Sequence, residues 1–251
     1  MQETVSILGI PFSKCTMQET VDRLSNHIED QQASLLHLIT VNPEIAIRCQ
    51  RDKEVQQIVK EADWVTPDGV GILYASKRLG NPIAERVTGY ELLLKLLASG
   101  NQQQWGFYFL GADEESNAQA VAHVQQHFPR IRIAGRHHGF FASEEETAIL
   151  SDIQSSKPNI LIVAMGAPYS DKWISRHKEA LADVKLVFGV GGSLDVLSGK
   201  VKETPKVWKQ LNLEWLYRLL TVPPAKGQAS RWRRQTALPV FVYRAIIRKP
   251  T

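Results

Sequence analysis

Asn159-Ile-Leu-Ile-Val-Ala-Met165, closed by Gly166-Ala-Pro168, and Lys185-Leu-Val-Phe-Gly-Val190, closed by Gly191-Gly192, flank one helix-period segment from Asp171 to Leu181. Apolar runs this short, bounded by Gly, read as strands buried on both faces. The same alternation extends in both directions. Trp105–Leu110 reads as a strand, Gly111-Ala-Asp113 as a turn, and a helix follows through His127. Ile131–Ala134 is a further strand, and Ser143 is placed to cap a helix with Glu146 three residues on. Upstream, Leu35–Val41 reads as a strand that stops at Asn42-Pro43, with Pro43 in the first turn of a helix through Arg51. Asp63–Pro67 is a short strand, followed by helices over Gly69–Leu79 and from Thr88, as N-cap, to Leu97. Strand–helix alternation at this spacing predicts an α/β fold: a mostly parallel, Rossmann-like sheet with helices on both faces. Ligands of such sheets sit at the carboxyl ends of the strands. Asn42, Asp68, Gly111, Gly166 and Gly191 all fall there.

The rest of the chain sets bounds on this reading. Its 251 residues are 43% hydrophobic and 22% charged, an ordinary globular composition without repeats or low-complexity stretches. Two cysteines, Cys15 and Cys49, make no disulfide framework and fit a reducing compartment. Met1-Gln-Glu-Thr-Val5 has no basic segment followed by an apolar core, and no apolar run reaches the ~18 residues of a spanning helix. A cytoplasmic protein is expected.

Charge is distributed unevenly. The formal total is +4, but residues 200–251 hold twelve Lys or Arg against Glu203 and Glu214, leaving residues 1–199 at −6. The chain is therefore divided into an α/β catalytic domain, 1–200, and a basic helical appendage, 201–251. In the appendage Pro205 can open a helix to Leu220, with Val207, Trp208, Leu211, Trp215, Leu216 and Leu219 on one face. Pro223-Pro224 ends it, and Ser230-Arg-Trp-Arg-Arg234 and an apolar-basic segment from Pro239 to Arg248 follow. Basic amphipathic segments carrying Trp and Phe suit an anionic membrane surface; a helix pair packed on the core with its basic side in water is the alternative. No nucleic-acid recognition module accompanies the basic residues, so nucleic acid is not expected as a partner.

Three polar side chains stand in otherwise apolar strand-end contexts: Thr40, Asn42 and Asp68. Asp68, in Thr66-Pro-Asp-Gly-Val-Gly71, is either a turn or capping residue or a base for an attacking hydroxyl. The Gly-bearing turns at Gly111 and at Gly189-Val-Gly-Gly-Ser193 can offer backbone N–H groups to phosphate or ribose. His137 and His138, adjacent on a strand, point to opposite faces and make no shared metal site. Without a D-x-D pair or Cys/His ligand spacing, no metal and no cofactor is expected.

Thr40-Val-Asn-Pro-Glu44, Asp63-x-Val-x-Pro-Asp-Gly-Val-Gly71, Glu85-Arg-Val-Thr-Gly89, Gly189-Val-Gly-Gly-Ser-Leu-Asp-Val-Leu-Ser-Gly-Lys-Val201 and Leu213-Glu-Trp-Leu-Tyr-Arg-Leu-Leu220 occur in fixed order. Together they resemble the WecG/TagA/CpsF glycosyltransferase family, collinearly from about Val5 to Arg248. The resemblance implies transfer of N-acetylmannosamine, or a related N-acetylhexosamine, from a UDP-sugar to undecaprenyl-diphosphate-linked N-acetylglucosamine. It places such an enzyme peripherally on the inner face of the cell membrane, in teichoic acid, capsule or related polymer synthesis. A homo-oligomer is compatible with it. By resemblance Asp68 is the base, Thr40 and Asn42 accompany it at the sugar or acceptor, Arg86 belongs to the substrate site, and Asp195 meets the nucleotide. The basic tail resembles the family's membrane-touching appendage. The chain departs from the family where Gly166-Ala-Pro-Tyr-Ser-Asp-Lys-Trp173 replaces Gly-x-Pro-Lys-Gln-Glu-x-Trp, and where Lys202-Glu-Thr-Pro205 replaces Lys-Arg-x-Pro.

Overall fold

The computed structural model describes residues 3–205, 207–208, 217 and 237–247. An antiparallel hairpin, β1 (Thr4–Ile7) and β2 (Ile10–Ser13), precedes α1 (Met17–Glu29). Then come β3 (Leu36–Val41), α2 (Pro43–Cys49), α3 (Lys53–Glu61), β4 (Trp64–Pro67), α4 (Val70–Arg78) and α5 (Gly89–Gln103). The second half holds β5 (Gly106–Gly111), α6 (Glu114–His127), β6 (Arg132–His137), α7 (Glu146–Ser156), β7 (Ile160–Ala164), α8 (Tyr169–Arg176), β8 (Leu186–Gly189) and α9 (Ser193–Leu197). A terminal helix, Ala237–Val242, runs on into π-helical Tyr243–Ile247.

Strands β3 to β8 form one sheet in the order β4-β3-β8-β7-β5-β6, every pair parallel. All six carboxyl ends therefore lie on one edge. The two runs that decide the fold, β7 and β8, are its centre, and all five residues of β7 are buried. Such strands need cover on both sides, and they have it. Helices α1, α5, α6 and α9 bury their apolar residues on one face. Helices α2, α3 and α4, with the hairpin, cover half of the other face, and α7 and α8 cover the rest.

Every pair of adjacent strands except β4 and β3 sends the chain to opposite faces. After β3 it turns to α2 on one face, while after neighbouring β8 it turns to α9 on the other. Neighbouring β7 and β5 diverge in the same way, to α8 and α6. Divergent loops open a crevice along the carboxyl edge. Where β7 and β5 diverge Gly111, with φ +131°, passes so close to β7 that a Cβ there would lie 2.5 Å from the Ala164 carbonyl carbon. Only glycine permits that approach.

Several local expectations change. The hairpin, α1, α3 and short α9 were not singled out by the sequence reading. Helix α8 begins at Tyr169 and ends at Arg176, so Asp171–Leu181 is shifted. Ser143 does not cap α7: it starts a 3-10 turn, and Glu145 reaches back to the Ala142 N–H at 2.8 Å. Strand β6 runs on to His137, beyond the expected Ala134.

The helix expected from Pro205 to Leu220 and the segment Ser230–Arg234 lie for the most part outside the described residues. The terminal helix lies within them, and it packs on α2 and α4. Phe241, read as a membrane contact, is instead fully buried in the cluster that holds Ile47, Ile72 and Ala75. Its ring faces Gly71, where a Cβ would come within 3.5 Å of it and within 3.0 Å of Pro43.

Candidate active site

Thr40 and Thr66 are register partners at the ends of β3 and β4. Both lie on the sheet face covered by α5, because they alternate with Ile39, Val41 and Val65 of the opposite face. Thr66 is fully buried and its Oγ1 finds no partner. Gly89, the first residue of α5, stands over Thr40: a Cβ there would be 3.3 Å from Thr40 Oγ1 and 3.8 Å from the Gly189 carbonyl oxygen. The amino end of a 15-residue helix is thus aimed at the ends of β3 and β8. Its first-turn N–H groups and partial positive charge suit an anion. Thr88 caps that helix as expected, accepting from Glu91 N–H at 3.3 Å.

Asp68 follows β4 directly. Its N–H donates to the Val41 carbonyl at 2.9 Å, and the preceding Pro67 carbonyl accepts from Val87 N–H at 2.8 Å. These bonds bring the ends of β3 and β4 and the Glu85–Thr88 segment to one place. The sequence left Asp68 open between cap and base. Helix α4 is capped by Gly69, at φ +127°, with no side-chain cap hydrogen bond. Asp68 is therefore not the cap. Asn42 is one: its Oδ1 accepts from Ile45 N–H at 3.0 Å at the start of α2. Arg86 is mostly buried, its Nη2 3.8 Å from Glu91 Oε1 in the first turn of α5. Its neighbour Glu85 accepts from the backbone N–H of Met17 at 2.9 Å, fastening the segment to α1.

The other half of the edge carries a second set of polar groups. Gly191 has φ +54° and Gly192 caps α9, with Asp195 folded back so that a Cβ on Gly192 would be 3.7 Å from its Oδ2. Asp113 caps α6, accepting from Ser116 N–H at 2.9 Å, and pairs with Lys200, whose ammonium also reaches Ser116 Oγ at 3.2 Å. The Lys200 hydrogen bond, with that from Ser116, holds the Asp113 carboxyl down at about 2. Asp195 moves the other way. Burial raises its pKa above the usual carboxylate range, against the lowering pull of Lys200 and Ser116. Lys200 thus serves two carboxylates from separate strand ends.

Gly166, at φ +80°, opens the loop after β7. Ser170 is buried and its hydroxyl works inside that loop, accepting from Met165 N–H at 3.1 Å and donating to the Val163 carbonyl at 3.3 Å. It is not presented to a ligand. Tyr169, beside it, is 67% exposed.

The sequence reading missed Lys200, which a motif quoted above contains, and Phe140. Gly139 N–H donates to the Ala112 carbonyl at 2.8 Å and Gly139 packs on the Gly111 Cα, so Phe140, 79% exposed, stands on the rim beside the β5 turn. His137 and His138 depart from expectation: strand β6 ends between them, and their rings lie 4.5 Å apart rather than on opposite faces.

Known proteins resemble this chain over nearly its whole length. The model of the "Glycosyl transferase WecG/TagA/CpsF family" matches residues 5–251. A Staphylococcus aureus (strain MRSA252) protein named N-acetylglucosaminyldiphosphoundecaprenol N-acetyl-beta-D-mannosaminyltransferase is 33% identical, over 96% of this chain and 91% of its own length. A Bacillus spizizenii (strain ATCC 23059 / NRRL B-14472 / W23) protein of the same name is 32% identical, over 96% of this chain and 90% of its own. This chain belongs to the WecG/TagA/CpsF family of glycosyltransferases.

Proposed function

We propose that the chain transfers N-acetylmannosamine from UDP-N-acetylmannosamine to undecaprenyl-diphosphate-linked N-acetylglucosamine, inverting the anomeric centre. The product would enter wall teichoic acid, capsule or a related envelope polymer. The observation that carries the reading is the meeting of Asp68 with the amino end of α5 at one corner of the edge. Asp68 takes the proton of the acceptor hydroxyl as that oxygen attacks the anomeric carbon. The bond from that carbon to the UDP oxygen breaks, and UDP leaves with the electron pair. The developing charge on the diphosphate is met by the α5 N–H groups and Arg86. Thr40, beneath Gly89, and Asn42 line the sugar side of this corner. The turns at Gly111, Gly166 and Gly191-Gly192 face the nucleotide with backbone N–H groups, Asp195 offers a carboxylate to it, and Phe140 offers the base an aromatic face.

No helix among the described residues is long and apolar enough to cross a membrane. The acceptor is a lipid, so the enzyme works peripherally, at the inner surface of the cell membrane. A second reading, a UDP-sugar-binding protein of the same fold without turnover, draws on Tyr169 and Ser170. The family's Lys and Gln are absent there, and the Ser170 hydroxyl is engaged by its own loop. A turnover screen across UDP-N-acetylhexosamines, with a water-soluble short-prenyl diphosphate acceptor, decides. Disaccharide from the manno donor is the expected result; UDP binding without product from any donor would favour the second reading.

A further inference from the structure

Burial of Phe241 turns the terminal segment's other side outward, next to the outer side of α4. On α4, Gly71, Ile72, Ala75 and Ser76 face the core, leaving Tyr74 62% exposed with Lys77 and Arg78 in solvent. Leu79 follows, also exposed. On the terminal segment Tyr243 and Ile247 are about as exposed as Tyr74, and Arg244 lies between them in solvent. Single exposed apolar residues are ordinary. Four of them on two packed elements, with three cations, are a surface. Residues 70–80 and 237–247 contain no Asp or Glu, and Lys77, Arg78 and Arg244 make no ion pair among the described residues.

We propose that the outer faces of α4 and the terminal segment form one composite docking surface for an anionic lipid bilayer. The basic tail is then not the sole membrane contact, because the catalytic domain supplies half of the surface from its own helix. The inference rests on the transferase reading for its purpose, and the chemistry fits it. Tyr rings favour the headgroup level, Leu and Ile enter the acyl boundary, and Lys and Arg meet anionic headgroups. Position fits too. Helix α4 starts two residues after Asp68, and at about 1.5 Å of rise per residue Tyr74 lies roughly 6 Å along it from its first residue. A bilayer resting on α4 presents its headgroup layer, where a lipid-linked diphosphate sits, beside the corner that holds Asp68.

The test is co-sedimentation of the full chain with vesicles about one-third phosphatidylglycerol in phosphatidylcholine, with every substitution confined to α4. One variant carries K77E and R78E, the other Tyr74→Ser and Leu79→Ser. All four positions are exposed, so circular dichroism should be unchanged. At roughly fivefold in affinity per charge, the charge variant should lose at least about 20-fold in vesicle binding, and the loss should shrink as salt rises. The apolar variant should bind weakly at every salt concentration. Both should keep turnover on the water-soluble acceptor within about twofold. Vesicle binding equal to that of the unsubstituted protein in both variants would overturn the proposal. So would unchanged vesicle binding with loss of a concentration-dependent oligomer, which would make the face a contact between copies. Absence of turnover in the unsubstituted protein would sink the transferase reading instead, leaving vesicle binding to judge the surface.

Discussion

At the scale of single residues, the proposed chemistry rests on Asp68, and Lys200 acts on the charge of two carboxylates. Asp68 follows its strand without capping the next helix, so its substitution leaves that cap in place. Asp68→Asn should lower turnover by ~10²–10⁴-fold with UDP affinity nearly unchanged, read by steady-state kinetics and calorimetry. Near-normal turnover in the folded variant would reduce Asp68 to a turn residue. Lys200 is the chief cause of the low pKa of Asp113 and a lowering influence on Asp195. In Lys200→Met the Asp113 carboxyl should climb from about 2 toward the ordinary value, and Asp195 should be pushed further up. Because the folded pKa of Asp113 is depressed, its contribution to stability is present above ~4 and is lost as pH falls toward the folded value. The substitution removes that contribution, so the acid-unfolding midpoint should rise. Carboxyl carbon NMR titration reads both groups, and an unmoved Asp113 would show that Ser116 alone holds it.

At the scale of elements, α5 and the terminal helix matter for what their ends touch. Helix α5 is legible in the sequence from Thr88, because the cap is local chemistry, which the structure completes with Glu91 three residues on. Its aim at Thr40 and Gly189 is not legible, since that depends on which strands lie beneath it. The terminal helix shows the opposite failure. Its apolar-basic pattern suits a membrane or a core equally, and Gly71, some 170 residues earlier in the chain, makes the hole that draws Phe241 inward. Burying a Phe ring typically contributes ~3–5 kcal/mol against its loss to Ala. A terminal helix can detach, so the measured cost is capped at the free energy of docking. Phe241→Ala should therefore raise amide exchange across residues 237–247 and leave β7 protected. Equal protection of 237–247 in both proteins would show that Phe241 does not hold the helix.

At the scale of the whole molecule, the proposed function puts the substrate's charge at the carboxyl edge of the sheet. In the proposed reaction the amino end of α5, Arg86 and the glycine turns would donate to the diphosphate, and the sequence has no D-x-D pair to hold a metal there. Turnover should survive EDTA; complete loss on chelation with recovery on Mn²⁺ or Mg²⁺ would identify a metal requirement. The body and tail are also less separate than their charges suggest. A chain ending at Pro224 lacks Phe241 and so uncovers Gly71, Pro43 and the apolar cluster around them. It should melt below the full-length protein by calorimetry, and an equal midpoint would mean that the docked segment adds no stability.

The sequence by itself determined the six strands of the sheet, most of the helices between them and the edge. Apolar runs such as Ile160–Ala164, with glycine at their ends, read as strands covered on both faces, and their alternation with helices puts Asn42, Asp68, Gly111, Gly166 and Gly191 at the strand ends of one parallel sheet. These are short-range facts, written in periodicity and turn chemistry within a dozen residues. Only the tertiary structure decided that β3 lies against β8, that Lys200 reaches back to Asp113, that Ser170 serves its own loop, and that Phe241 closes on Gly71. Each is a pairing between segments whose local patterns would suit many partners. The choice among them is made by burial and close packing of the assembled core, which no window of sequence contains.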